Sequence, residues 1–126
     1  MIGGGRDNTV ENNIFVECAP SVHLDARGLS WASYYFNGTY PELFEHLKEM
    51  KYQEPPYSTR YPELLTLDKG NPAFPLNNRI VRNISYGGRW IDFYDSNAFD
   101  FSVVTMRDNL IADSALCRRQ QKDQKG

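Results

Sequence analysis

The chain has 126 residues, of which 40% are hydrophobic and 13% are aromatic, and its formal net charge is -2. This composition can fill one core and excludes a disordered chain, and the small net charge argues against nucleic acid or an anionic membrane as a partner. No apolar run is long enough to cross a bilayer, and the start MIGGGRDN lacks the features of a signal peptide. Cys18 and Cys117 lack metal-ligand spacing, so we expect packing roles for both, and no metal or cofactor.

Three short segments share the pattern of an apolar residue, two variable residues, Asn and a second apolar residue. Asn13, Asn83 and Asn109 occupy this position, at offsets of 70 and 26 residues. The shorter offset suits one coil of a β-solenoid, and the longer one suits a coil with an insertion of about 45 residues. Stacked asparagines can hydrogen-bond along such a solenoid and can adopt the left-handed backbone of its turns. The repeat therefore predicts an all-β fold, a parallel β-helix of about three coils.

A strand is expected after each of the first two asparagines, because apolar and polar residues alternate there. Aligning the apolar positions pairs Val22 with Ile91 and Leu24 with Phe93 as inward-facing neighbours. This alignment requires one residue fewer in the second coil than the asparagine register gives, so a turn or bulge must differ between the coils.

Residues 29–75 read differently from the sequence around them and form the predicted insertion. Thr39 and Glu42 have the spacing of a capping box, which predicts a helix over about 40–51. A second short helix is predicted over 61–67. The first helix carries an apolar stripe that we expect to pack against the solenoid, formed by Leu43, Phe44, Leu47 and Met50.

Four segments resemble right-handed parallel β-helix repeat proteins of the pectate-lyase-like superfamily. They are GGGRDN at 3–8, ENNIF at 11–15, HLDARG at 23–28 and EPPYSTRYPELL at 54–65. The resemblance implies a right-handed helix and a secreted or periplasmic, mostly bacterial parent protein that acts on carbohydrate. Members of this group have many coils, so residues 1–126 are expected to be a single β-helix fragment of such a parent.

The outward residues of the two aligned strands are the candidates for chemistry. The alignment places His23 beside Asp92 and Asp25 beside Tyr94, so two carboxylates lie diagonally on neighbouring rungs. A glycoside hydrolase acting on plant or algal glycans needs such a pair, which makes Asp25, Asp92 and His23 the catalytic candidates. The alternatives are a polysaccharide lyase, in which Arg27 or Arg89 would neutralise a developing enolate, and a non-catalytic carbohydrate-binding module with a merely solvated row.

Aromatic residues in or near the insertion could contact a polysaccharide or oligosaccharide substrate, because flat rings suit the apolar faces of sugars. Packing between the insertion and the coils would use the same residues. The proline-rich stretch 52–57 is expected to be an extended lid segment. The substrate-binding candidates are Arg27, Arg89, Trp90, Tyr94, Trp31 and Tyr57. Expressed alone, the chain is expected to self-associate through exposed solenoid ends and to lack hydrolase or lyase activity.

Overall fold

Short strands alternate with turns along residues 1–112, which are the residues that this computed structural model describes. Cys117 and its prediction lie outside them. The strands are β1 (Ile2–Gly3), β2 (Thr9–Glu11), β3 (Ile14–Val16), β4 (Val22–Asp25), β5 (Arg79–Val81), β6 (Ile84–Tyr86), β7 (Ile91–Tyr94), β8 (Thr105–Arg107) and β9 (Leu110–Ala112).

The strands form three parallel sheets of three strands each. Sheet A has the order β1-β4-β7, sheet B the order β2-β5-β8 and sheet C the order β3-β6-β9. Successive strands visit the three sheets in turn, so the chain winds as a parallel β-helix-like solenoid. In sheet A, Val22 pairs with Ile91 and Leu24 with Phe93, which confirms the register predicted from the alternating pattern.

The predicted asparagine ladder is confirmed. The Asn13 side chain donates a 2.9 Å hydrogen bond to Oδ1 of Asn83, and the Asn83 side chain donates one of 3.0 Å to Oδ1 of Asn109. The left-handed backbone falls one residue earlier than expected, for example at Arg82, whose φ is 54°. The reason is that the Asn83 amide also donates to the carbonyl of Val81, across the turn residue.

A second ladder was missed by the sequence analysis. The Asn8 side chain donates a 3.0 Å hydrogen bond to Oδ1 of Asn78, and the Asn78 amide donates to the carbonyls of Gly5 and Pro75. The same separation of 70 residues that relates Asn13 to Asn83 relates these two asparagines, and this was the available signal.

The core lies between the sheets and is completed by the turn that follows β7. Val22, Leu24 and Ile80 are buried at its centre. Ile91 and Phe93 pack against this core but are only half-buried, because β7 has a partner on one side only within residues 1–112. Of the four residues predicted to be inward and buried, the two on β4 are therefore fully so, and the two on β7 lie at the end of the stack.

The helical elements lie mainly between β4 and β5. The α-helices are α1 (Glu42–Glu49) and α2 (Tyr57–Arg60), and the 3-10 helices are Arg27–Leu29, Ser33–Tyr35, Pro62–Thr66 and, after β7, Phe101–Val103. The helix expected over 40–51 is thus confirmed with shorter bounds, and the helix expected over 61–67 is a 3-10 helix. Among residues 1–112, no helix has the length and apolar character needed to cross a membrane.

Three details of the insertion were predicted wrongly. The N-cap of α1 is Pro41 without a side-chain hydrogen bond, and the Thr39 hydroxyl instead donates to Asn37, two residues earlier, so the capping box does not form. The stripe on α1 is only partly covered, since Leu43 and Met50 are exposed. Residues 52–57 are a series of turns leading into α2 rather than an extended segment, since Pro56 takes the helical backbone of an N-cap.

Candidate functional site

The outer face of sheet A carries the sequence-predicted row. Val22 and Leu24 point into the core, so the residues between and beside them, His23 and Asp25, lie on the opposite face. On β7, Asp92 pairs with His23 and Tyr94 pairs with Asp25, as predicted. The strand spacing and rise then put the Cα atoms of Asp25 and Asp92 roughly 8 Å apart on the diagonal.

Asp25 is held by Arg27, two residues further along the chain. The Arg27 Nε donates hydrogen bonds of 2.9 Å and 3.1 Å to the two carboxylate oxygens, and Nη2 donates one of 2.5 Å to Oδ2. The Arg27 backbone N–H and the His23 ring add contacts of 3.3 Å and 3.4 Å to the same carboxylate. Only 6% of the Asp25 side chain is exposed, so these groups replace its water shell.

These contacts set the ionisation of Asp25. Burial by itself would raise the pKa of this carboxyl, but the hydrogen bonds from the Arg27 side chain and backbone, then that from His23, and the Arg27 charge outweigh it, and the pKa is lowered. Asp25 is therefore an ionised carboxylate at neutral pH, which suits a nucleophile, a base or a charge stabiliser and not a proton donor.

Asp92 has its own arginine. The Arg89 Nε and Nη2 donate two hydrogen bonds of 2.6 Å to Oδ1 and Oδ2 of Asp92, in a bidentate pair. The Arg89 guanidinium is exposed, and pairing with Asp92 raises its pKa. Each carboxylate of the predicted pair is thus neutralised by an arginine of its own coil.

Two aromatic contacts extend the row on either side. The His23 ring packs against Tyr94 at a tilt of 36° with centroids 4.7 Å apart, and the Arg27 guanidinium lies over the Trp31 ring at 5.4 Å from its centroid. Tyr94 and Trp31 remain 55% and 63% exposed, so both rings offer a free face to a ligand. The residues from β4, β7 and the start of the insertion therefore form one continuous surface.

A shallow groove of about 260 Å³ adjoins this surface, between β1 and the insertion. Its polar group is Arg27, and its rings include Trp31, Tyr35 and Phe36. Two other predicted binding residues lie elsewhere. Trp90 packs edge-on against Phe15 at 6.2 Å and contributes to the core, and Tyr57 lies partly exposed at the start of α2.

The structure adds two features that sequence reasoning missed, namely the two aspartate–arginine pairs. Their signals were the Asp-x-Arg spacing of 25–27 and the Arg-x-x-Asp spacing of 89–92, which are too short and common to interpret without knowing which face each residue occupies. No group of three or more His, Cys, Asp or Glu side chains suited to a metal ion occurs within residues 1–112.

Comparison with known proteins gives no relative: no protein-family model, curated protein or solved structure matches this chain. What the structure supports is the parallel β-helix-like solenoid with its strands in register.

Proposed function

We propose that this chain is part of a right-handed parallel β-helix protein of the pectate-lyase-like type, from a secreted or periplasmic polysaccharide-processing system. In this proposal the outer face of sheet A binds a plant or algal polysaccharide. The observation that carries it is the alignment of His23 and Asp25 with Asp92 and Tyr94 on neighbouring strands, beside the groove that begins at Trp31.

The shape and chemistry of this surface suit a sugar chain. Parallel strands repeat about every 4.8 Å, so a row that crosses them can follow an extended polymer. The exposed rings of Tyr94 and Trp31 can stack on pyranose faces, and the ion-paired side chains of the row can exchange hydrogen bonds with hydroxyl groups. The surface is open, which suits a polymer that extends beyond the site.

Glycoside hydrolysis is the second candidate, favoured by the diagonal arrangement of Asp25 and Asp92. The lowered pKa of Asp25 suits the carboxylate that attacks or activates water. Asp92 would then have to donate the proton, although it accepts two short hydrogen bonds from Arg89. Hydrolysis on this face therefore requires that the bound glycan separate Arg89 from Asp92, whereas binding requires no rearrangement.

Affinity electrophoresis against a panel of plant and algal polysaccharides tests the binding proposal. We expect the chain to bind at least one of them, and expect Trp31→Ala and Tyr94→Ala each to weaken binding by about tenfold, roughly 1.4 kcal/mol. Tyr61→Ala is the matched control, since Tyr61 is 44% exposed in the insertion but outside the row and the groove. Absence of binding to every glycan, or equal losses in the control, would overturn the proposal.

A reducing-sugar assay on the polysaccharide that binds separates the two candidates. Product without an unsaturated sugar end, which disappears in both Asp25→Asn and Asp92→Asn, would establish hydrolysis, because elimination by a lyase also frees a reducing end but leaves an unsaturated one. Binding without product would leave this face as a carbohydrate-binding surface.

A further inference from the structure

The glycines at the start of the chain lie directly beneath Arg27. Gly3 pairs with Asp25 in sheet A, and its neighbour Ile2 is buried, so Gly3 belongs to the same outer face as Asp25. A Cβ at Gly3 would lie 2.6 Å from Cζ and 3.0 Å from Nη1 of Arg27. A Cβ at Gly4, where φ is +66°, would lie 2.8 Å from Cγ of the same side chain. The Arg27 side chain therefore occupies the volume that any other residue would fill.

We propose that Gly3 and Gly4 are positioning residues for the candidate site. Because neither glycine has a side chain, Arg27 lies directly against the backbone at the end of β1, and this packing directs its guanidinium to Asp25. An arginine at the start of a 3-10 helix, as here, would otherwise have many rotamers available in solvent. The Trp31 ring lies against one side of the Arg27 guanidinium, and the glycines leave room for it on the other side. Together they favour the rotamer in which Nε and Nη2 reach the Asp25 carboxylate.

The contact is of a kind that substitution should redirect without unfolding the chain. The atoms nearest to a Cβ at Gly3 all belong to the guanidinium, the free end of a flexible side chain, and none belongs to the backbone. Alanine at position 3 should therefore move Arg27 off β1. Asp25 would keep the 3.3 Å contact from the Arg27 backbone N–H and the 3.4 Å contact to His23, and would lose its side-chain bonds to arginine.

Titration of the Asp25 carboxyl by NMR tests this directly, at concentrations where the chain is monomeric. In Gly3→Ala we expect the pKa of Asp25 to rise, because burial, which raises it, is no longer outweighed by the Arg27 hydrogen bonds and charge. Gly70→Ala is the control, since a Cβ there would meet its nearest atom, Nη1 of Arg6, at an ordinary 3.5 Å.

A double-mutant cycle shows whether the effect passes through Arg27. Arg27→Ala alone should raise the Asp25 pKa, and adding Gly3→Ala to it should change nothing further. An unchanged pKa in Gly3→Ala, or an equal rise in the Arg27→Ala background, would overturn the proposal.

The role in ligand binding rests on the proposed function, and the two can fail separately. If the wild-type chain binds glycan, Gly3→Ala should bind it more weakly while Gly70→Ala binds it normally. Unaltered binding by Gly3→Ala would mean that Gly3 positions Arg27 for the ion pair with Asp25 and has no role in ligand binding. If no glycan binds, the proposed function fails, and the titration still decides whether Gly3 positions Arg27.

Discussion

The side-chain amide of Asn83 donates to Oδ1 of Asn109, while its own Oδ1 accepts from the side chain of Asn13. Asn83 is 1% exposed and also satisfies the carbonyl of Val10, on the neighbouring coil. The middle asparagine thus joins three coils at one turn, and each polar atom of its side chain is paired.

Replacing this asparagine should be costly. Asn83→Ala removes the acceptor of the Asn13 backbone N–H and side-chain amide and the donor to the carbonyls of Val10 and Val81, at a side chain that is 1% exposed, and we expect the free energy of unfolding to fall by about 3 kcal/mol. Urea unfolding followed by circular dichroism measures it. Asn97→Ala, at an exposed turn, should change stability by about 0.5 kcal/mol or less, and an equal effect of the two substitutions would contradict the ladder's role.

Removal of Arg27 should give a pH-dependent loss of stability. Arg27→Ala removes the guanidinium from the buried carboxylate of Asp25, and we expect a loss of about 2 kcal/mol at neutral pH, at the low end for buried pairs because Arg27 is partly exposed. The folded-state pKa of Asp25 is lowered, so the wild-type stabilisation is present above the unfolded pKa of about 3.9 and is lost as pH falls through the folded value.

The difference between wild type and Arg27→Ala should therefore shrink in acid, as measured by urea unfolding at a series of pH values. Arg89→Ala is the comparison, since its guanidinium is exposed, and it should cost less at every pH. A difference independent of pH would show that Arg27 stabilises through packing alone.

Gly88 should tolerate no side chain, for a reason different from that at Gly3. A Cβ there would lie 2.8 Å from the backbone carbon and 2.9 Å from the backbone nitrogen of Cys18, in a turn where φ is +65°. Because the backbone of Cys18 cannot rotate away as a flexible side chain can, Gly88→Ala should lower the free energy of unfolding by about 3 kcal/mol. Gly38→Ala isolates the backbone term, since φ there is +89° and nothing lies within 4 Å.

Thermal unfolding of the two alanine variants makes this comparison. Gly38→Ala should cost only about 1–2 kcal/mol, the usual penalty for left-handed backbone. Equal costs would show that the close approach to Cys18 contributes nothing.

The edges of β7, β8 and β9 should support self-association. Within residues 1–112, β7, β8 and β9 each pair on one side only, and an open cavity of about 620 Å³ next to them is lined by Phe93, Phe101 and Met106. Sedimentation velocity should show concentration-dependent association, because unpaired edges recruit other chains. Met106→Lys places a charge on β8 and should reduce it, whereas Val103→Lys, an exposed change outside the strands, should not. A monomer at all concentrations would contradict this prediction.

The sequence by itself determined the repeating part of the fold. A parallel strand buries alternate residues, so the spacing of the apolar positions in 22–24 and 91–93 is enough to align the two strands. Asn13, Asn83 and Asn109 identified the repeating coil, because a turn stacked on the same turn of the next coil needs a side chain that can both donate and accept hydrogen bonds. The same alignment gave the pairing of His23 with Asp92.

Only the tertiary structure decided how the polar groups are partnered. Whether Thr39 caps α1 or bonds Asn37 depends on small differences among local hydrogen bonds, and the exposure of Leu43 depends on what the insertion meets in space. The contact of Arg27 with Gly3 joins two segments of neighbouring coils, and nothing in either segment alone shows that they touch. Periodicity reports which face a side chain occupies, whereas its partner is set by contacts between coils that are distant in sequence.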